Sequence, residues 1–185
     1  MDKDKLKKKY IAGNKRAFDI IYNDFSAAMH SICIRYTKDR DSASDVLHDA
    51  FIKIFEKRHL FKPHYELTGW IKRIVVNTAI DYYKKNKKLI LIDNQDFFET
   101  EDDTLIDTNK TDISKEVLLK ALNELSDSSR IVFNLYVFEN LTHDEISKHL
   151  GITISNSKSR LSRSRKKLRE ILEKHNKINK QIVNG

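Results

Sequence analysis

The chain has 185 residues, of which 39% are hydrophobic and 34% charged, and it carries a net charge of +8. Its 4 glycines and 1 proline are too few for the closely spaced turns of a β-sandwich or barrel, so an all-α fold is predicted. A single cysteine excludes an internal disulfide and a cysteine-based zinc site. With no apolar run near the ~18 residues of a membrane span and no signal-like N-terminus, a cytoplasmic protein is expected.

The charge is unevenly distributed. Residues 1–92 hold 20 Lys/Arg against 11 Asp/Glu, residues 93–112 hold 1 against 8, and residues 113–185 hold 14 against 8. The acidic segment, DNQDFFETEDDTLIDTNKTD, has little helical periodicity, which is typical of a flexible linker. It is either a solvated spacer or a mimic of nucleic acid that lies in a positive channel of a partner. The pattern predicts two small helical domains joined by this linker, and the basic excess favours nucleic acid as a partner.

The first basic block begins with two amphipathic helices. Residues 14–37 carry apolar side chains at helical spacing, with Asn14 as N-cap and Cys33 within the predicted core. Residues 41–57 repeat the pattern, and their opposite face includes Asp45, His48, Asp49, Ile52 and Lys53. Ile52 is either an ordinary exposed side chain or the apolar centre of a docking surface.

A third helix is predicted over residues 66–86, after a breaker that contains Pro63. Core packing is the main role expected for Trp70 on its apolar side. The other side carries Lys72, Arg73, Val76, Asn77, Lys84 and Lys85. With Tyr82 and Tyr83 beside it, this face suits phosphates and unstacked bases, or its lysines are a solvated helix end favoured by the dipole.

The second basic block predicts a helix-turn-helix. After helices at 114–125 and from 126 onward, Thr142–Glu145 forms a capping box, Gly151 ends a short helix, and a last helix covers 154–172.

The last helix has a thin apolar seam made of Ile154, Leu161 and Leu168. Seven basic residues fall within twelve positions that contain no acid: Lys158, Arg160, Arg163, Arg165, Lys166, Lys167 and Arg169. A solvated helix normally interleaves both signs, so contact with DNA is predicted, with Arg on guanine edges and Lys, Ser and Asn on phosphates.

Together these segments resemble the bacterial RNA polymerase sigma factors of the extracytoplasmic-function (ECF) subfamily. GNKRAFDIIYNDF and DRDSASDVLHDAFIKIFEK are similar to the family's opening and core-binding helices, and TGWIKRIVVNTAIDYYKKNKK is similar to its minus-ten helix. The segment from LSDSSRIVF to SRSRKKLRE is similar to its minus-thirty-five domain. His48-Asp49 replaces a usual Gln-Glu, and Asn156-Ser157 replaces Thr-Val, so looser packing is expected at Ser157.

The resemblance implies four parts of the chain. Residues 1–92 form a region 2-like domain that docks on polymerase and melts and reads the minus-ten element. Residues 93–112 form the acidic linker, which threads toward the RNA exit path. Residues 113–175 form a region 4-like domain for the minus-thirty-five element, and residues 176–185 form a C-terminal tail.

The resemblance also implies the site residues. Binding to the polymerase β′ coiled coil is expected at Asp45, His48, Asp49, Ile52 and Lys53. Minus-ten DNA, with one base flipped into the loop at 61–66, is expected to contact Phe61, His64, Tyr65, Trp70, Arg73, Asn77, Lys84 and Lys85. Minus-thirty-five DNA is expected to contact Thr153, Ser155, Asn156, Lys158, Ser159, Arg160, Arg163, Arg165 and Lys167.

The expected partners are core RNA polymerase (β′ coiled coil and β flap), promoter DNA and an anti-sigma factor, with nucleoid association when bound to polymerase. No catalytic residue, cofactor, metal or small-molecule substrate is expected, because no phosphate-binding Gly loop occurs and the histidines lack metal spacing. The alternative is a helix-turn-helix regulator that works without polymerase. It would need paired half-sites, and the chain offers no spare dimerisation helix.

Overall fold

A computed structural model describes residues 3–89 and 114–183 of the chain. The chain divides into two compact units, Met1–Ile90 and Leu91–Gly185. Within the described ranges the regular structure is helical and contains no strand. The predicted all-α fold with two helical domains is therefore confirmed, while the acidic linker at 93–112 lies outside the described residues.

The first unit contains α1 (Lys3–Ile11), α2 (Lys15–Tyr36), α3 (Arg40–Glu56) and α4 (Leu67–Leu89), with a 3₁₀ turn at Lys57–Leu60. The prediction for the start of α2 is confirmed, because the Asn14 side chain accepts a hydrogen bond from Ala17 N at 3.0 Å. The sequence did not predict α1. Tyr10 is the only buried residue of α1, and a single buried position leaves no apolar periodicity in the sequence.

The core of the first unit lies where α2, α3 and α4 pack on one another. Its largest fully buried side chains include Tyr10, Ile21, Ile54 and Ile71, and Cys33 is buried as predicted. One helical position was wrong: Val76, placed on the polar side of α4, is only 7% exposed. Because α4 packs against both α2 and α3, its buried arc is wider than one apolar stripe.

The second unit contains α5 (Lys115–Asn123), α6 (Asp127–Val137), α7 (His143–Leu150) and α8 (Ile154–Val183). Ser114, Ser126 and Thr142 cap α5, α6 and α7. Every residue of α6 from 129 to 135 is buried, so this helix is the centre of the unit. The other helices contribute buried side chains around it, including Leu122, Ile146, Leu161 and Leu168, and the turn between α5 and α6 adds Leu125.

The local geometry of the helix-turn-helix confirms the predicted signals. The Thr142 N–H donates to the Glu145 carboxylate at 2.8 Å, and the Glu145 N–H donates to Thr142 Oγ1 at 3.3 Å. The first of these bonds is the main reason that the pKa of Glu145 is lowered. Gly151 closes α7 in the left-handed region at φ 67°.

The C-terminal boundary of α8 differs from the prediction. The helix continues to Val183 instead of ending at residue 172, so most of the predicted tail at 176–185 is helical. The extension EKHNKINKQIV contains neither Gly nor Pro. Without a stop signal, the helix hydrogen-bonding pattern continues.

Candidate partner-binding and nucleic-acid-binding surfaces

The outer face of α3 brings the predicted docking residues together. Asp45, His48 and Asp49 are exposed, and the Ile52 side chain among them is 44% exposed. Lys53 is half-buried, and its Nζ lies 3.3 Å from Asp81 Oδ2 on α4. The result is an apolar spot bordered by carboxylates, which can bind a basic surface that offers an apolar groove.

The loop between the 3₁₀ turn and α4 is anchored from inside by an aromatic cluster formed by Tyr10, Phe61 and Trp70. The Phe61 ring centroid lies 5.3 Å from that of Trp70 and 6.4 Å from that of Tyr10. Phe61 is 2% exposed and Trp70 is half-buried. The Phe61 ring is therefore part of the core in this structure, and contact between Phe61 and DNA stays a prediction.

The outer part of the same loop remains open. His64 and Tyr65 are exposed, Tyr65 by 58%, with ring centroids 4.2 Å apart. Lys7 on α1 donates a hydrogen bond to the Pro63 carbonyl at 3.3 Å. The aromatic cluster and Lys7 fix the loop, and its two accessible rings form a surface on which unstacked bases can stack.

The exposed face of α4 continues this surface. Arg73, Asn77 and Lys84 are exposed and recur at spacings of four and seven residues, so they share one face. Lys85 is also exposed, beside that face. Tyr82 belongs elsewhere, since its hydroxyl donates to Ser42 Oγ on α3 at 2.9 Å. The open face of α4 is thus cationic and amide-bearing.

On α8 the buried seam differs from the predicted one. Ser157, Leu161, Ser164 and Leu168 are buried at spacings of four and three residues, whereas Ile154 is 45% exposed. The prediction for Ile154 was wrong because the seam begins one turn later, at a serine.

Hydrogen bonds replace apolar contacts at the two serines of this seam. Ser157 Oγ lies 2.9 Å from His143 Nδ1, and Ser164 Oγ lies 2.9 Å from the Ser129 carbonyl. Both serines are 0% exposed. Burying a hydroxyl group costs desolvation free energy, and a hydrogen bond to a partner offsets most of that cost. The two serines can therefore occupy buried positions of the seam.

The predicted DNA-contacting residues of α8 fall into two groups. Thr153 caps the helix by accepting a hydrogen bond from Asn156 N at 3.1 Å. With it, the exposed group comprises Ser155, Lys158, Arg163 and Lys167. The half-buried group comprises Asn156, Ser159, Arg160 and Arg165. The exposed members give α8 a cationic outer surface with small hydrogen-bonding side chains, which suits phosphates and base edges.

The sequence did not reveal the role of His143 at the first position of α7. Its ring stacks on Tyr136 of α6, with centroids 4.7 Å apart and planes inclined by 27°. The Arg165 guanidinium carbon lies 5.5 Å from the Tyr136 ring centroid. Burial, followed by the positive charges of Lys158 and Arg165, lowers the pKa of His143. The one available signal was its place directly after the capping threonine.

The described residues offer neither a metal-type cluster nor a membrane-type helix. None of their His, Cys, Asp and Glu side chains form a group of three or more that would hold a metal ion. None of the helices in these ranges combines the length and the apolar character that crossing a bilayer requires.

Two family models match the chain, "Sigma-70 region 2" at residues 21–89 and "Sigma-70, region 4" at residues 115–168. The ECF RNA polymerase sigma factor SigM of Bacillus subtilis is 28% identical over 83% of this chain and 93% of its own length. The RNA polymerase sigma-H factor of Pseudomonas aeruginosa is 24% identical over 87% of this chain and 89% of its own.

Two solved structures share the fold. The sigma factor RpoE of Bartonella quintana, in complex with the anti-sigma factor NepR, has a TM-score of 0.52 at 23% identity, covering 84% of this chain and 96% of that one. CnrH, in complex with the cytosolic domain of CnrY, has a TM-score of 0.50 at 20% identity, covering 92% and 96%.

Proposed function

The chain belongs to the ECF sigma factors of bacterial RNA polymerase, and we propose that it binds core polymerase and directs promoter-specific transcription through three separate surfaces. The observation that carries this function is the pairing of a region 2 match with a region 4 match in one chain. A stand-alone helix-turn-helix regulator would account for the second match alone.

The first proposed surface is the outer face of α3, which docks on the β′ coiled coil. Ile52 is its apolar centre, and Asp45, His48 and Asp49 surround it with exposed polar groups. An apolar contact inside a polar rim is the usual arrangement of a protein interface. Lys53 contributes less directly, since it is paired with Asp81.

The second surface reads minus-ten DNA as a single strand. His64 and Tyr65 offer exposed rings, and the face with Arg73, Asn77 and Lys84 offers charge and amide groups for the strand's backbone. Phe61 and Trp70 act from behind this surface, because their rings hold the loop in place.

The third surface is the outer side of α8, which enters the major groove at the minus-thirty-five element. Ser155, Lys158, Arg163 and Lys167 are its exposed contacts, and Thr153 fixes the start of the helix. In this proposal residues 1–92 and 113–175 act as the two DNA-reading domains, with 93–112 as their acidic connection. Once one domain is bound, the connection raises the effective concentration of the other domain at its own DNA element.

The proposed regulation is by an anti-sigma factor. The structural neighbour from Bartonella quintana was solved with such a partner. The protein would act at the nucleoid in complex with polymerase and without catalysis of its own.

Run-off transcription tests this function directly. Core polymerase and the purified chain are combined with genomic fragments of the host, and promoter-specific transcripts are expected. Core polymerase alone is the control. The absence of such transcripts, together with tight DNA binding by the chain alone, would favour the stand-alone regulator.

Ile52→Glu is expected to abolish co-purification with core polymerase, because a buried carboxylate at the centre of an interface is costly. The matched control is Ile20→Glu on α2, where Ile20 is 38% exposed. Pull-down with tagged core polymerase measures both, and circular dichroism checks that the helices persist. Equal retention of the two variants would contradict docking through α3.

A further inference from the structure

Four side chains from three helices connect the interior of the second unit to the basic surface of α8. His143 Nδ1 lies 2.9 Å from Ser157 Oγ, which is completely buried. The face of the His143 ring stacks on Tyr136, and the guanidinium of Arg165 lies over the Tyr136 ring. We call these four residues the histidine stack. It places the His143 imidazole and one cationic side chain of α8 against the same tyrosine ring.

The charges that face His143 come from more than one helix. From α8, Lys158 and Arg165 act on the ring, and both lower its pKa after the larger effect of burial. From α6, the facing titratable group is Tyr136. On α7 itself the neighbouring acids are engaged elsewhere, Asp144 with Lys148 and Glu145 with Thr142. The ring also lies at the positive end of the α7 dipole, which disfavours a cation there.

The cations that oppose protonation of His143 lie on or beside the proposed DNA surface. Lys158 is exposed, and Arg165 is half-buried on the flank of α8. A DNA phosphate near either side chain places a negative charge where the field at His143 is now positive. The cost of protonating the ring then falls.

We propose that His143 is a positioning residue of the DNA-binding surface, and that its uptake of a proton is coupled to DNA binding. In the free protein the neutral ring supports Tyr136 and through it Arg165. In the complex, phosphates screen Lys158 and Arg165, and His143 becomes protonated. This inference rests on the proposed role of α8 in binding DNA.

The sign of the coupling follows from linkage. If the pKa of His143 is higher in the complex than in the free protein, the complex holds more protons between the two pKa values. Affinity for DNA therefore rises as the pH falls through that interval. Coupling of the opposite sign would mean that burial by DNA outweighs the phosphate charge.

The test measures the affinity of the full chain for a mixed-sequence duplex that spans two helical turns, from about pH 5 to pH 8 at fixed ionic strength. A mixed sequence suffices because phosphate contacts do not depend on sequence. The wild type is expected to gain about threefold or more in affinity toward acid beyond the gain of His143→Gln, which cannot titrate. His149→Gln, an exposed histidine of the same helix, is the matched control and should retain the wild-type profile.

A direct readout on the wild-type chain keeps the test independent of how the variants fold. The ring proton signals of His143 are followed by NMR against pH, with and without the duplex, and a higher pKa with DNA supports the coupling. An unchanged or lower pKa overturns it, as does an identical pH profile for His143→Gln and the wild type. Failure to bind DNA at any pH, alone or with core polymerase, would instead overturn the proposed role of α8.

Discussion

Tyr10 shows how one side chain can attach a whole helix. It is the only buried residue of α1 and is 0% exposed. Its hydroxyl donates to the Ile54 carbonyl at 2.6 Å, and its ring contacts Phe61 and Trp70. Burial raises the pKa of Tyr10 well above its ordinary value, so the hydroxyl remains a donor at any physiological pH.

Tyr10→Phe is expected to lower the free energy of unfolding of the first unit by about 1 kcal/mol, because the hydrogen bond is lost and the buried Ile54 carbonyl loses its partner. Denaturant unfolding followed by circular dichroism measures the change. Tyr22→Phe is the matched control, since Tyr22 is 41% exposed and its ring contact with Phe51 survives the substitution. Equal stability of the two variants would contradict the anchoring role.

The burial of Tyr10 cannot be predicted from the sequence. The segment around Tyr10 is charged and shows no apolar period, so the sequence gives no reason to bury that ring. The packing of Phe61 leaves no local pattern either, because its ring partners lie 51 positions before it and 9 after it. Asn14, Thr142 and Gly151 were predictable, because capping is decided by neighbours within four residues.

Helix α8 was predicted well at its start and on its exposed face. Local rules fix the Thr153 cap, and the run without acids marks the exposed face. The buried seam was predicted less well, because two of its members are serines. Their partners, His143 and Ser129, lie 14 and 35 residues away, beyond any local pattern.

Arg163→Ala is expected to weaken promoter complexes without reducing association with core polymerase. Arg163 is exposed on the outer side of α8, and its Nε donates to the Ser159 carbonyl at 3.4 Å. Loss of a bidentate base contact would cost about 1–3 kcal/mol of affinity. Loss of a phosphate contact would weaken binding to all sequences alike and reduce its salt dependence.

Promoter affinity of the assembled holoenzyme, measured at several salt concentrations, separates these cases. Lys174→Ala is the matched control, an exposed cation of the same helix three turns further on. If Arg163→Ala and Lys174→Ala behave alike, the assignment of the outer face of α8 is wrong.

At the scale of the whole molecule, the division into two units was visible in the charge distribution. The boundary between Ile90 and Leu91 falls next to the predicted change at 92. Each unit has buried side chains of its own, such as Ile71 and Val75 in the first and Leu122 and Leu135 in the second. A division into units leaves a trace in the sequence because composition changes over long stretches, whereas a single packing contact leaves no such trace.

Fragments 1–92 and 113–185 are therefore expected to fold separately. Circular dichroism of each should show helix and a cooperative thermal transition, and the two spectra should add to that of the full chain apart from the residues between them. A fragment that lacks a cooperative transition would contradict the independence of its core.

The buried position of Cys33 makes the protein convenient for fluorescence work. It is the only thiol in the chain, it is 0% exposed, and burial raises its pKa to about 12. Thiol-reactive dyes are attacked by thiolates, so the native thiol stays unlabelled while a cysteine introduced on the surface is labelled. Donor and acceptor dyes, one on each unit, can then follow the distance between the two units in real time, with Cys33 left in place.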